Sequence, residues 1–211
     1  MPALTVYSAL NAAADLGSAT QLQSTAPAGS ETANNNACTT AAFNWGELQS
    51  RNAQVSWPNL GAEPTPTGKG FLWDVTTLEG QTIAAGNWSG TWDFRATAGT
   101  ITATIYCRLW KWNKTSGIYT QIGSDINTGS RGYTSSTTAV SIPSTAMPAT
   151  AFLTADKLYI DFVANIATVT NNANFIIFRN QSAGTADLVV TPGYAASPKG
   201  LPPGLLTPGV L

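Results

Sequence analysis

Apolar and polar residues alternate with a period of two through the middle of the chain. Ile101, Ala103, Ile105, Cys107 and Leu109 fall on one side of such a run, with Thr102, Thr104, Tyr106 and Arg108 between them. This is the pattern of a half-buried strand, because successive side chains of extended backbone point to opposite faces. Residues 158–166 repeat it with Leu158, Ile160, Phe162, Ala164 and Ile166, and Trp92–Ala96 repeats it over a shorter length. Further runs rich in strand formers cover residues 70–75, 118–122, 133–142, 174–178 and 187–190, with two more over 42–48 and 53–57. Turn residues punctuate them at 115–117, 127–129, 171–172 and 182–184. Eight to ten short strands with no convincing helix predict an all-β protein, an antiparallel β-sandwich or jelly roll. The phase of the alternation places Phe94, Ile101, Ile105, Leu109, Leu158, Ile160 and Phe162 in a core between two sheets.

The two ends read differently from this body, which spans residues 37–191. Residues 1–36 are rich in Ala, Ser, Thr, Asn and Gln, with isolated apolar residues at Leu4, Val6, Leu10, Leu16 and Leu22. They are read as an N-terminal arm. A short helix over 8–16 is weakened by Asn11 and by the narrow apolar stripe. Residues 192–211 carry Pro192, Pro198, Pro202, Pro203 and Pro208, a density that forbids helix and central strand and favours an extended path. A solvated linker has no need of Leu201, Leu205, Leu206, Val210 and Leu211, so this segment is expected to be a docking arm.

Composition narrows the chemistry. Charged residues make up only 10% of the chain and the formal net charge is −1, so the basic footprint of a nucleic-acid or anionic-membrane binder is missing. No apolar run approaches the ~18 residues of a membrane-crossing helix, and the first residues lack the basic and apolar regions of a secretory signal. There is no histidine, which removes His-ligated zinc and the histidine-dependent nucleophilic sites. Cys38 and Cys107 either bridge or remain two free thiols. The acids Asp74, Glu79, Asp93, Asp156 and Asp161 are read as solvated-face or turn residues. The stretch Asp125–Gly129 resembles a calcium loop but has Ser130 and Ser136 where a glycine and a glutamate are required. The expectation is a protein that is not an enzyme and has no catalytic residue, no cofactor and no metal. A carboxylate-based glycosidase, needing two carboxyl groups about 5–10 Å apart, is the weakest of three readings.

Seven tryptophans stand out. With the odd positions of 101–109 facing the core, Tyr106, Trp110 and Trp112 share the other face with Arg108. Two readings follow. The aromatics form a stacking platform for sugar rings or a protein interface, or the strand changes its setting near Leu109 and both indoles enter a second core.

The block GKGFLWD at 68–74, continuing through LEGQTI at 78–83 to Asn87 and Trp88, resembles β-sandwich proteins encoded among the virion genes of tailed bacteriophages. Residues 154–162 and 190–194 are similar to later strands of the same proteins, so the resemblance spans about residues 68–194. It implies a capsid-associated role as a decoration, cement or head-fibre-like protein, made in the host cytoplasm and placed on the capsid surface. The expected partners are the major capsid protein or other virion proteins, and sister copies in a homo-oligomer, a trimer being favoured. No nucleic acid and no membrane is expected among them. The charge-poor, Thr- and Asn-rich make-up without an export signal points the same way, since virion proteins leave cells by lysis. The alternative is a carbohydrate-binding module or host-receptor-binding protein whose partners are host glycans.

Overall fold

In a computed structural model of the chain, residues 4–17, 19–23, 34–36, 43–45, 48–51, 66, 70–73, 78–96, 98–170, 175–177, 188–191 and 194–195 are described. The protein is all-β; among the described residues there is no helix. Two ladders carry the body. In the first, β8 (Gly86–Ala96) pairs with β12 (Thr138–Met147) on one side and with β15 (Phe175–Ile177) and β16 (Leu188–Thr191) on the other. A short strand, β3 (Asn34–Asn36), adds to β15.

The second ladder is built on the longest pairing among the described residues. There β9 (Ile101–Asn113) runs antiparallel to β14 (Asp156–Val169), from Asp156 opposite Asn113 to Val169 opposite Ile101. The far edge of β9 takes β10 (Tyr119–Gln121) and β11 (Ile126–Tyr133). The far edge of β14 takes β5 (Leu48–Arg51), itself paired with β4 (Phe43–Trp45), and β6 (Phe71–Trp73). Among the described residues the pairing is antiparallel except where β14 meets β5 and where β6 meets β2 (Thr20–Gln23). A small separate sheet has β7 (Thr82–Ile83) between β13 (Thr150–Ala151) and β17 (Tyr194–Ala195).

The ladders face each other across one core. Trp92 on β8 packs its ring 4.7 Å from that of Phe162 on β14, and Phe71 lies edge-on to Phe162 and tilted against Trp92. Phe94, Ile101, Ile105, Leu109, Leu158, Ile160 and Phe162 are all fully buried, as the alternation requires.

Two expectations change, and the weak helix option over 8–16 is not taken up: β1 (Leu4–Ala12) is a strand, consistent with the alternation Leu4, Val6, Ser8, Leu10, Ala12. Residues 4–23, read as part of an arm, contribute β1 and β2 to the ladders. The first half of β1 pairs with β16 in one ladder and its second half with β2 in the other, so it ties the two together. Finally, Asn127–Gly129 does not end a strand. It is a bulge inside β11, where the register shifts between Asn127 and Ser130 and Gly129 takes a left-handed φ of 69°. The Asn127 carboxamide oxygen accepts the Gly129 N–H at 3.2 Å and holds the kink.

Candidate functional site

The face of β9 turned away from the core carries Tyr106, Arg108, Trp110 and Trp112, the phase expected from sequence. Register with β14 sets Val163, Asp161, Tyr159 and Lys157 opposite them in turn, and β10 brings Tyr119 opposite Trp112. The result is a second aromatic cluster. Tyr119 contacts Tyr159 at 5.1 Å between centroids and reaches both Trp110 and Trp112 at 6.4 Å.

This face is covered. The turn after β1 lays Ala13 and Ala19 against Trp112 and Tyr159, with Leu16 beside them. The turn is closed by hydrogen bonds from Ala13 N–H to the Ala19 carbonyl at 2.9 Å and from Ala19 N–H to the Leu16 carbonyl at 2.8 Å. Asp15 anchors it to the body through Lys157 at 3.4 Å and Lys114 at 3.5 Å. Trp112 is left 6% exposed and Tyr159 not at all, while Tyr106 and Trp110 are half-buried. Of the two readings of the indoles, Trp112 therefore lies in a second core, reached without any change of sheet near Leu109. The sequence signal for the cover was the alternation in β1 followed by Leu16, set among residues too small and polar to read as a structural element.

Beside this cluster lies a buried ion pair. Arg108 and Asp161 stand directly opposite each other on β9 and β14. The Arg108 Nε donates to Asp161 Oδ1 at 2.9 Å, its Nη2 contacts Oδ2, and the Trp110 indole N–H donates to Oδ1 at 2.9 Å. The guanidinium also sits over the Trp110 ring, 5.2 Å from its centroid. Asp161 was read as a solvated-face residue; it is fully buried and Arg108 is 2% exposed. Alternation identifies the side of a strand but not whether another layer covers it. A carboxylate held by three N–H donors is a structural acceptor, because taking a proton would break those bonds.

Three further acids among the described residues, Asp156, Glu79 and Asp125, are held by nearby groups as well. Asp156 accepts from the Asn113 side chain at 2.9 Å and from Leu153 N–H at 3.0 Å, with Lys111 3.5 Å away. Burial alone would raise its carboxyl, but these donors and the lysine charge outweigh it and hold it below the usual carboxylate range. Glu79 accepts the N–H of Ala155 at 2.7 Å and so steadies a residue with a left-handed φ of 71°. Asp125 is bonded by the Gln121 side chain in the turn after β10. Asp93 is half-buried on β8, and burial raises its carboxyl. Asp74 lies outside the described residues. Cys107 is a buried free thiol whose ionisation is opposed first by burial and then by the charge of Asp161, so it stays protonated. Cys38 lies outside the described residues, as do Leu201, Leu205, Leu206, Val210 and Leu211 of the expected docking arm. Among the described residues no group of three or more Cys, Asp or Glu is placed to hold a metal ion, and no helix is long and apolar enough to cross a membrane.

No protein-family model matches the chain, and no curated protein matches it in sequence. An aminopeptidase from the marine sediment archaeon Thaumarchaeota archaeon is similar in structure, with 9% sequence identity and a TM-score of 0.49. The match covers 88% of this chain and 36% of the aminopeptidase, so this chain spans little more than a third of that protein's length. A likeness at that level does not bear on activity.

Proposed function

We propose that the protein is a structural component of a tailed-phage virion. It binds the capsid surface, stabilises or decorates it, and uses residues 192–211 as a docking arm. The observation that carries this reading is where the body spends its chemical groups. Arg108 and Trp110 bind Asp161 between the paired strands β9 and β14, Trp112 packs beneath the N-terminal turn, and Asp15, Lys114 and Lys157 fasten that turn over them. A body whose charges and aromatics serve internal cohesion suits a protein that must persist outside a cell and act through contact area. Its resemblance over about residues 68–194 to virion β-sandwich proteins supports the same reading, as do the apolar, Pro-rich residues 192–211. In this reading the protein is not an enzyme. The glycan-binding alternative ranks second, because the cover on Trp112 leaves Tyr106 and Trp110 as the half-buried remainder of the platform.

Mass spectrometry of purified particles tests the proposal. The chain should co-purify at a fixed stoichiometry through density banding. Its absence from particles, or glycan hydrolysis by the isolated protein, would remove the reading.

A further inference from the structure

The turn that covers Trp112 has the parts of a lid. The pairing of β1 with β2 is interrupted just ahead of it: Ser8 lies opposite Leu22 and Ala12 opposite Thr20, so three residues of β1 face one of β2. The ladder is locally broken there, which leaves a place to bend. The two hydrogen bonds that shape the turn, from Ala13 to Ala19 and from Ala19 to Leu16, lie within it, so it can lift as one piece and keep both. What it lays on the aromatic face is small, two alanine methyls and Leu16. Ala14 and Gly17 are exposed, and no atom lies within 4 Å of where a Gly17 Cβ would sit.

The fastening is electrostatic. One oxygen of the Asp15 carboxylate reaches Lys157 at 3.4 Å and the other reaches Lys114 at 3.5 Å. Asp15 is 26% exposed and Lys114 45% exposed, and ion pairs that water reaches hold weakly and weaken further with salt. Lys157 is different, with its side chain 6% exposed beneath the turn. Lifting the turn would leave both ammonium groups without this carboxylate, beside a floor of aromatic rings. In that floor the Tyr119 centroid lies 6.4 Å from that of Trp112 and 5.1 Å from that of Tyr159.

We propose that the turn is a lid and that the site beneath it takes an acidic saccharide, one with a carboxylate on its sugar ring. The ligand's carboxylate takes the place of Asp15 between Lys114 and Lys157, and its ring lies on the aromatic floor. Asp15 is then an internal competitor for the site. Several rings side by side suit the apolar face of a sugar and give a bare anion nothing to rest on. Two lysines present point charges that a single carboxylate bridges, as Asp15 does. The inference rests on the glycan-binding reading above, to which it adds the class of glycan and a role for the cover on Trp112; it is independent of where residues 192–211 dock. A site that is open for only part of the time binds more weakly in proportion to its open fraction, so weakening the lid should strengthen binding.

Titration calorimetry of the full chain with tetragalacturonate, and with its neutral methyl ester as control, tests this. The parent should bind the acid weakly and the ester at least about tenfold more weakly still. Asp15→Asn keeps the size of the side chain and removes its charge. It should raise the quenching of tryptophan fluorescence by acrylamide and bind the acid at least about tenfold more tightly than the parent does. Adding Lys114→Gln, at an exposed position, should cancel that gain in affinity and leave the quenching high. An Asp15→Asn variant that binds no more tightly than the parent would overturn the lid; if acid and ester both bind, the glycan reading survives that loss. Raised quenching with neither saccharide bound would remove the ligand class and the glycan reading together. Polyglutamate bound as tightly as tetragalacturonate would show that charge alone is read, and would equally overturn the inference.

Discussion

Asp161 accepts hydrogen bonds from Arg108 and Trp110 with no exposure to water, so the two charges depend on each other. Asp161→Ala would leave the Arg108 guanidinium buried without its counter-charge. Breaking one partner of a buried pair costs about 3–5 kcal/mol, while replacing both by apolar residues of similar volume is often neutral. Denaturant unfolding should show a loss of that size for Asp161→Ala and recovery of most of it in Arg108→Met with Asp161→Leu. A single variant within about 1 kcal/mol of the parent would mean that water reaches the pair. Tyr133 gives a pH test with a definite sign. Burial pushes its hydroxyl up to about 12 from an ordinary value of 10.0. Between those values the unfolded chain has lost the proton and the folded chain has kept it. Stability is therefore full below pH 10 and falls as pH rises towards 12. Tyr133→Phe should flatten that alkaline limb, and an unchanged limb would assign it to another group.

At the scale of elements, Gly129 is the point where the strand pattern meets a local kink. Its φ of 69° is favourable for glycine, and no atom lies within 4 Å of where a Cβ would sit. Gly129→Ala should therefore cost the backbone term alone, about 1–2 kcal/mol. A thermal melt that does not move would mean that β11 lacks the bulge. The same site illustrates what could be read from sequence. The long alternating runs at 101–109 and 158–166 announced β9 and β14 because burial of one face forces a period of two. The segment INTGSRGY at 126–133 did not announce β11, because its interior positions face solvent and its turn residues serve a bulge. Strands of two or three residues such as β7 and β13 are too short to show any period; their partners define them. The phase of Trp110 and Trp112 was legible, but the layer over Trp112 was not. That layer comes from Ala13, Leu16 and Ala19, about a hundred positions away, and no local pattern encodes a contact of that range.

For the whole molecule, the proposed function divides the work between a cohesive body and residues 192–211 as a docking arm. The body is tied at its N-terminal side by β1, which joins both ladders, and by the Asp15 contacts that close the turn over the aromatic face. Residues 196–211 contribute apolar side chains on a backbone biased to be extended. Burying a leucine or valine is worth ~1.5–3 kcal/mol, against ~1–2 kcal/mol of backbone ordering for each unrestrained residue. On the docking-arm proposal the segment would gain little by ordering alone, and its prolines would reduce the cost of ordering it on a partner. The most direct measurement is the incorporation of a chain lacking residues 200–211 into virions, quantified by mass spectrometry of banded particles beside a thermal melt of the isolated protein. The account predicts a melt nearly unchanged from the parent and a sharp loss of copies per particle. A deletion variant retained at full copy number, or one whose body melts far below the parent, would contradict it.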